Sequence, residues 1–223
     1  MITEPKSFDG EKLNPFAPTI IDEVTHIIKE TGMKTSSKDP LSHGVFHILR
    51  EELIPLLVEL VNKSLEEGSM APVRSSVIDP LLKKIGLDVE GRKNYRPVNN
   101  LVSLSKLIER IVKARIEKHM EKNCLHNKRA FGYKKHHSTE TMMVGLVNDI
   151  LTGFDENKCT VMVFLDLSAA FDTIDVNKLL TILGDEIGLG GSALKWCESF
   201  LTNRTQRVKI KGQYSEDLFR DQY

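Results

Sequence analysis

The residue best placed to do chemistry is Asp166, which stands at the end of the run Cys159–Leu167 (CTVMVFLDL). A near-continuous apolar and β-branched run of this length predicts a buried central strand. A carboxylate at the tip of such a strand suits a divalent cation, because the surrounding core locks its position and keeps water away. The same placement serves as a simple turn cap. It also suits phosphatases with an aspartate nucleophile, but these want a second acid two residues on, where this chain has Ser168. His43 and His47 read as ordinary residues, because Gly44 stands where a zinc-protease HExxH helix carries Glu. His136 and His137 have no partners at ligand spacing and read as loop or helix-start residues. Cys124, Cys159 and Cys197 form no CxxC pair, which argues against a zinc framework or a disulfide scaffold and fits a reducing, intracellular compartment.

The elements that must hold Asp166 can be read from periodicity. Helical spacing of apolar residues predicts helices over Thr19–Glu30, Ile48–Glu67, Ser103–Lys122, Val176–Leu183 and Ser192–Leu201. Pro55 marks a first turn or a kink, and Gly68 a stop. A further helix starts near Ser138 or Thr139, either of which can cap it, and runs through Met142, Met143 and Leu146 to about Phe154. Short strands or extended loops are expected around Ser76–Leu82 and Asn94–Asn100, and a strand over Gln206–Ile210. The N-terminus has no signal-peptide core, and the longest apolar stretch, Leu53 to Val61, is broken by Pro55 and Glu59, so neither export nor a membrane span is expected.

Formal net charge is zero over 223 residues, but it is unevenly spread. Residues 72–140 hold 16 Lys/Arg against 7 Asp/Glu, a balance of +9 that the remainder cancels. A polyanionic partner for this segment follows naturally, and solvated helix faces are the plainer reading.

Several motifs then point one way. Leu165-Asp166-Leu167-Ser168-Ala169-Ala170-Phe171-Asp172-Thr173 resembles the first palm motif of LINE-type non-LTR reverse transcriptases. Asn94-Tyr95-Arg96-Pro97-Val98, with Leu104-Ser105-Lys106 and Glu109-Arg110 after it, is similar to their first fingers motif, and residues 131–140 (FGYKKHHSTE) to their second. Asn62-Lys63-Ser64-Leu65, Pro80-Leu81-Leu82-Lys83-Lys84 and Arg204-Thr205-Gln206-Arg207-Val208 fit the same family, in the same order. The resemblance implies an α+β fold with an incomplete central antiparallel sheet: a helical extension over 1–70, basic fingers over 71–157 and a partial palm over 158–223. It implies that Asp166 and the backbone carbonyl of Leu167 ligate Mg2+ or Mn2+, and that Phe171 packs against the sugar 2′ position and excludes ribonucleotides. Arg96, Lys83 and Lys84 would grip the triphosphate. Lys106, Arg110, Lys134 and Lys135, together with Lys113 and Arg115, would line a template track. The implied partners are an RNA template, a DNA primer and dNTPs.

The chain also departs from that family. It contains no Asp-Asp pair and no Pro-Gln-Gly motif, the text after Glu216 leaves the family pattern, and Ala130 stands where Gln is usual. One strand carboxylate cannot hold two metal ions. The expectation is a polymerase fragment inactive by itself, with exposed sheet edges that favour aggregation. The alternative is a non-catalytic nucleic-acid-binding or vestigial protein derived from a retroelement.

Overall fold

The computed structural model describes residues 7–30, 39, 43–70, 75–127, 129–167, 170, 171 and 173–219. Two units partition the chain: residues 1–119 with 175–223, and residues 120–174.

The first unit carries the core. Helix α1 (Ile21–Glu30) opens with Asp22 and Glu23 in its first turn and closes with Lys29 in its last, each placed to complement the helix dipole. It buries Val24 and Ile28. Helix α2 (His43–Ile48) leads into α3 (Arg50–Glu67), which buries Ile54, Leu57, Val61 and Leu65; Pro55 sits within the helix, near its start. Helix α4 (Ser103–Lys122) has the bounds its periodicity predicts, and it contributes Leu107, Ile108, Ile111 and Val112 to the same core. Helix α7 (Gly191–Leu201) completes it through Ala193, Trp196 and Cys197, together with Leu189 from the connection that follows α6 (Val176–Asp185), whose Leu180 and Leu183 pack half-buried against the same core. Asp175 caps α6 by accepting from the backbone N–H of Lys178. Burial pushes the Cys197 thiol up to about 11, so it behaves as a small core hydrophobe.

Two tethers close this unit. The N-terminal segment lies along the α6–α7 connection, where Leu13 bridges to Leu189 and Asn14 Oδ1 accepts from the Ser192 N–H. At the end of α3, Gly68 takes φ +64°, and its N–H donates to the Ser64 carbonyl. A Cβ at Gly68 would lie 2.7 Å from the backbone oxygen of Ser192 on α7. Gly68→Ala is therefore expected to cost about 2 kcal/mol, from left-handed strain together with a clash against backbone that cannot rotate away. Urea unfolding followed by circular dichroism checks this; an unchanged midpoint would mean the α3–α7 contact yields freely.

The sheet belongs to the first unit as well. Strand β1 (Ser75–Leu82) pairs antiparallel with β2 (Tyr95–Asn100) and parallel with β3 (Thr205–Ile210). Strands β4 (Gln213–Tyr214) and β5 (Leu218–Phe219) both pair antiparallel with β3, giving the order β2-β1-β3-β4 with β5 beside β3. The α+β class is as the sequence implies, but the sheet is mixed and not antiparallel.

The second unit holds helix α5 (Thr139–Asp155), capped as expected by Ser138, whose side chain accepts from the Thr141 N–H while the Thr141 hydroxyl accepts from the Ser138 N–H. No residue of α5 is buried, and Met142, Met143, Val147 and Leu151 are exposed. The buried central strand expected over Cys159–Leu167 is corrected: the segment is irregular, with no strand partner among the described residues, and Phe164 is 82% and Leu165 91% exposed. A strand exists through its ladder, and no described strand pairs with this one, so its apolar side chains stay in solvent. Ser168, Ala169 and Asp172 of the palm-like motif, and the side chains of His43 and His47, lie outside the described residues.

Candidate functional site

The β1–β2 hairpin carries the candidate triphosphate-binding residues. The antiparallel register places Leu81 opposite Arg96 and Leu82 opposite Tyr95, so Lys83 and Lys84 follow directly at the hairpin end. The Lys83 N–H donates to the Asn94 carbonyl at 2.8 Å, and its ammonium donates to the Lys93 carbonyl at 2.7 Å. Across the loop, the Tyr95 hydroxyl donates to the Val89 carbonyl and the Asn94 amide to the Asp88 carbonyl. The loop is thus stitched to both strands; Lys83, Lys84 and Arg96 remain exposed, with the Lys83 ammonium folded back on the Lys93 carbonyl.

On α4, Lys106 is half-buried and Arg110 is exposed. Arg115 does not belong with them. Its guanidinium makes a two-pronged pair with Glu23, both N···O distances 2.6 Å, and donates to the carbonyls of Ala17 and Pro18. That engagement pins the start of α1 to α4 and withdraws Arg115 from any template track. The hydrogen bonds from Arg115 hold the Glu23 carboxyl below its usual value against the opposing effect of burial, with help from the Thr19 hydroxyl. Lys113 pairs with Glu117 one turn along, an exposed pair that contributes little. Periodicity gave no sign of Glu109, where burial pushes the carboxyl up against the hydrogen bond from Ser105 and the charges of Arg204 and Lys106.

The second unit holds the remaining candidates. Asp166 and Leu167 are exposed, Phe171 is 66% exposed, Lys134 is half-buried and Lys135 is exposed. A hard divalent cation wants six or more oxygens in a fixed cage. One exposed carboxylate and one carbonyl do not make that cage, and among the described residues no group of three or more acidic, His or Cys side chains could hold a metal ion. The structure also adds a contact that the motifs do not announce: the rings of Tyr133 and Phe171 meet edge to face, centroids 6.3 Å apart.

Residues 82–220, which take in the basic loop after β1, β2, α4 and the Asp166 segment, match the family described as "Reverse transcriptase (RNA-dependent DNA polymerase)". The chain belongs to the reverse transcriptase family. Its relatives are named as RNA-directed DNA polymerases of transposons and mobile elements. It is 26% identical over 202 residues to "Probable RNA-directed DNA polymerase from transposon BS" of Drosophila melanogaster, an alignment covering 90% of this chain and 22% of that protein. It is 28% identical over 163 residues to "Probable RNA-directed DNA polymerase from transposon X-element" of the same organism, covering 73% of this chain and 18% of the relative. It is 25% identical over 206 residues to "RNA-directed DNA polymerase from mobile element jockey", again from Drosophila melanogaster, covering 90% and 22%. The chain therefore spans about a fifth of the length of the curated relatives it matches. Within this reverse transcriptase segment, no described helix is long and apolar enough to cross a membrane.

Proposed function

We propose that this chain is part of an RNA-directed DNA polymerase of a non-LTR retrotransposon, working inside the cell on an RNA template, a DNA primer and deoxynucleoside triphosphates. The observation that carries the reading is the family match over 82–220, which takes in Lys83, Lys84 and Arg96 as well as the Asp166–Phe171 motif. In this reading Lys83, Lys84 and Arg96 hold the triphosphate, and Arg suits it through paired N–H groups. Lys106, Arg110, Lys134 and Lys135 contact nucleic-acid phosphates, which are sequence-blind and salt-sensitive partners. Phe171 stands against the sugar 2′ position. Asp166 and the Leu167 carbonyl supply two donors of a divalent-cation site, Mg2+ or Mn2+, whose other donors come from further polymerase chain. Residues 71–157 correspond to fingers and 158–223 to the first part of a palm.

Primer extension on poly(rA)/oligo(dT) with magnesium or manganese tests this. The 223-residue chain is expected to incorporate no more than its Asp166→Ala variant, while still binding the template–primer. Incorporation that depends on Asp166 would show that a complete ion site forms within these residues or in a dimer. A second reading, nucleic-acid binding without catalysis, is favoured by the excess of 16 Lys/Arg over 7 Asp/Glu in residues 72–140. It predicts that Asp166→Ala changes nothing in any longer form of the protein, while Arg96→Glu and Lys106→Glu weaken RNA binding and flatten its salt dependence by about one unit of slope each.

A further inference from the structure

Within the 120–174 unit, Tyr133 takes φ +58°. A bulky side chain in the left-handed region is strained, and such strain persists only where surrounding structure imposes it. The surroundings here are specific. The His137 N–H donates to the Lys134 carbonyl at 3.2 Å, and His137 Nδ1 lies 3.0 Å from the Lys135 carbonyl. The Phe131 ring packs at a tilt on His137, centroids 5.4 Å apart, and Ser138 then locks the turn to the start of α5 through its capping box. The turn therefore holds Tyr133 outward on a rigid base: its side chain is 91% exposed, and its ring meets Phe171 edge to face, the planes 77° apart.

We propose that Tyr133 is a positioning residue for Phe171, fixing the ring that separates deoxyribonucleotides from ribonucleotides; the inference rests on the reading of Phe171 given above. A wall that must refuse one oxygen atom has to be held within about half an ångström. An exposed phenylalanine by itself samples several staggered χ1 wells. An edge-to-face aromatic partner biases that choice by roughly two- to tenfold, enough to set the discrimination of an otherwise unsupported ring. The contact is between the two rings, so the property the inference requires of Tyr133 is its aromatic ring and not its polar tip.

The test is equilibrium dialysis of the 223-residue chain against radiolabelled dUTP and UTP, which differ only at the sugar 2′ position, with magnesium. The wild-type chain is expected to favour dUTP by about tenfold, as when an apolar wall refuses one small group. Phe171→Ala brings that ratio near one. Tyr133→Ala lowers it several-fold through a gain in UTP affinity, with dUTP affinity changed less than about twofold, and Tyr133→Phe retains it. A purely structural role would weaken both nucleotides together. If Phe171→Ala lowers the ratio and Tyr133→Ala does not, the inference is overturned while the reading of Phe171 stands. If Phe171→Ala leaves the ratio unchanged, or the wild-type chain binds neither nucleotide, that reading fails and takes the inference with it.

Discussion

Trp196→Ala is expected to destabilise the fold by about 3–5 kcal/mol, the range for deleting a large buried aromatic side chain. Trp196 is 2% exposed and stands where α3, α7 and the N-terminal segment converge. Its ring meets Phe16 edge to face at 6.2 Å and stacks on Phe200 at 5.4 Å. Its Nε1–H donates to the Ser64 hydroxyl, which donates in turn to the Ser69 carbonyl beside the α3 cap. Truncation opens a cavity and removes a donor from a buried hydroxyl at once. Against a typical total stability of about 5–15 kcal/mol, the variant would be largely unfolded in mild urea. Circular dichroism is the measurement to use, since Trp196 is the chain's single tryptophan and its fluorescence disappears with it. Trp196→Phe keeps most of the packing and should cost about half as much. A loss below about 1 kcal/mol for the alanine variant would mean this cluster does not hold the unit together.

Arg115→Ala should have the second-largest effect, about 2–3 kcal/mol near neutral pH, because it removes charge-assisted hydrogen bonds to Glu23 and to the carbonyls of Ala17 and Pro18 in a partly buried place. The cost should depend on pH. The Glu23 carboxyl is held below its usual value, so its contribution is fully present above the unfolded carboxylate pKa of about 4.3 and is lost as pH falls through the folded value. Glu109 runs the other way: its carboxyl is raised, so ionising it costs stability as pH climbs past the unfolded value. Because Arg115→Ala leaves Glu109 in place, the difference between variant and wild type isolates Glu23. Urea midpoints should differ most near pH 7 and converge in acid, with a residue of difference from the two carbonyl contacts. A gap that widens in acid would refute the assignment.

Much of this structure was legible in the sequence wherever an element carries its own signal. Helix α4 shows its apolar face and its ends in the text, and Ser138 announces α5 by its capping chemistry. The stretch 159–167 was misread for the opposite reason: apolar composition reports what a segment wants as a neighbour, not whether one is at hand. Arg115 shows the same gap at one residue, since helical periodicity points it outward but cannot know that Glu23, far away in sequence, stands there. Of the candidate site, Asp166 stands out from the apolar run that ends in it, whereas Phe171 and Arg96 enter through resemblance alone. The ring contact of Tyr133 with Phe171 joins two separate loops and leaves no periodic trace.

The first unit is split in sequence, its two parts separated by residues 120–174. During synthesis, α1, α3 and α4 leave the ribosome before the Trp196 side chain that covers Phe16 has been made. Translating residues 120–196 takes roughly 4–15 s at about 5–20 residues per second. For that interval the nascent helices present an open apolar face, a natural binding surface for a ribosome-associated chaperone.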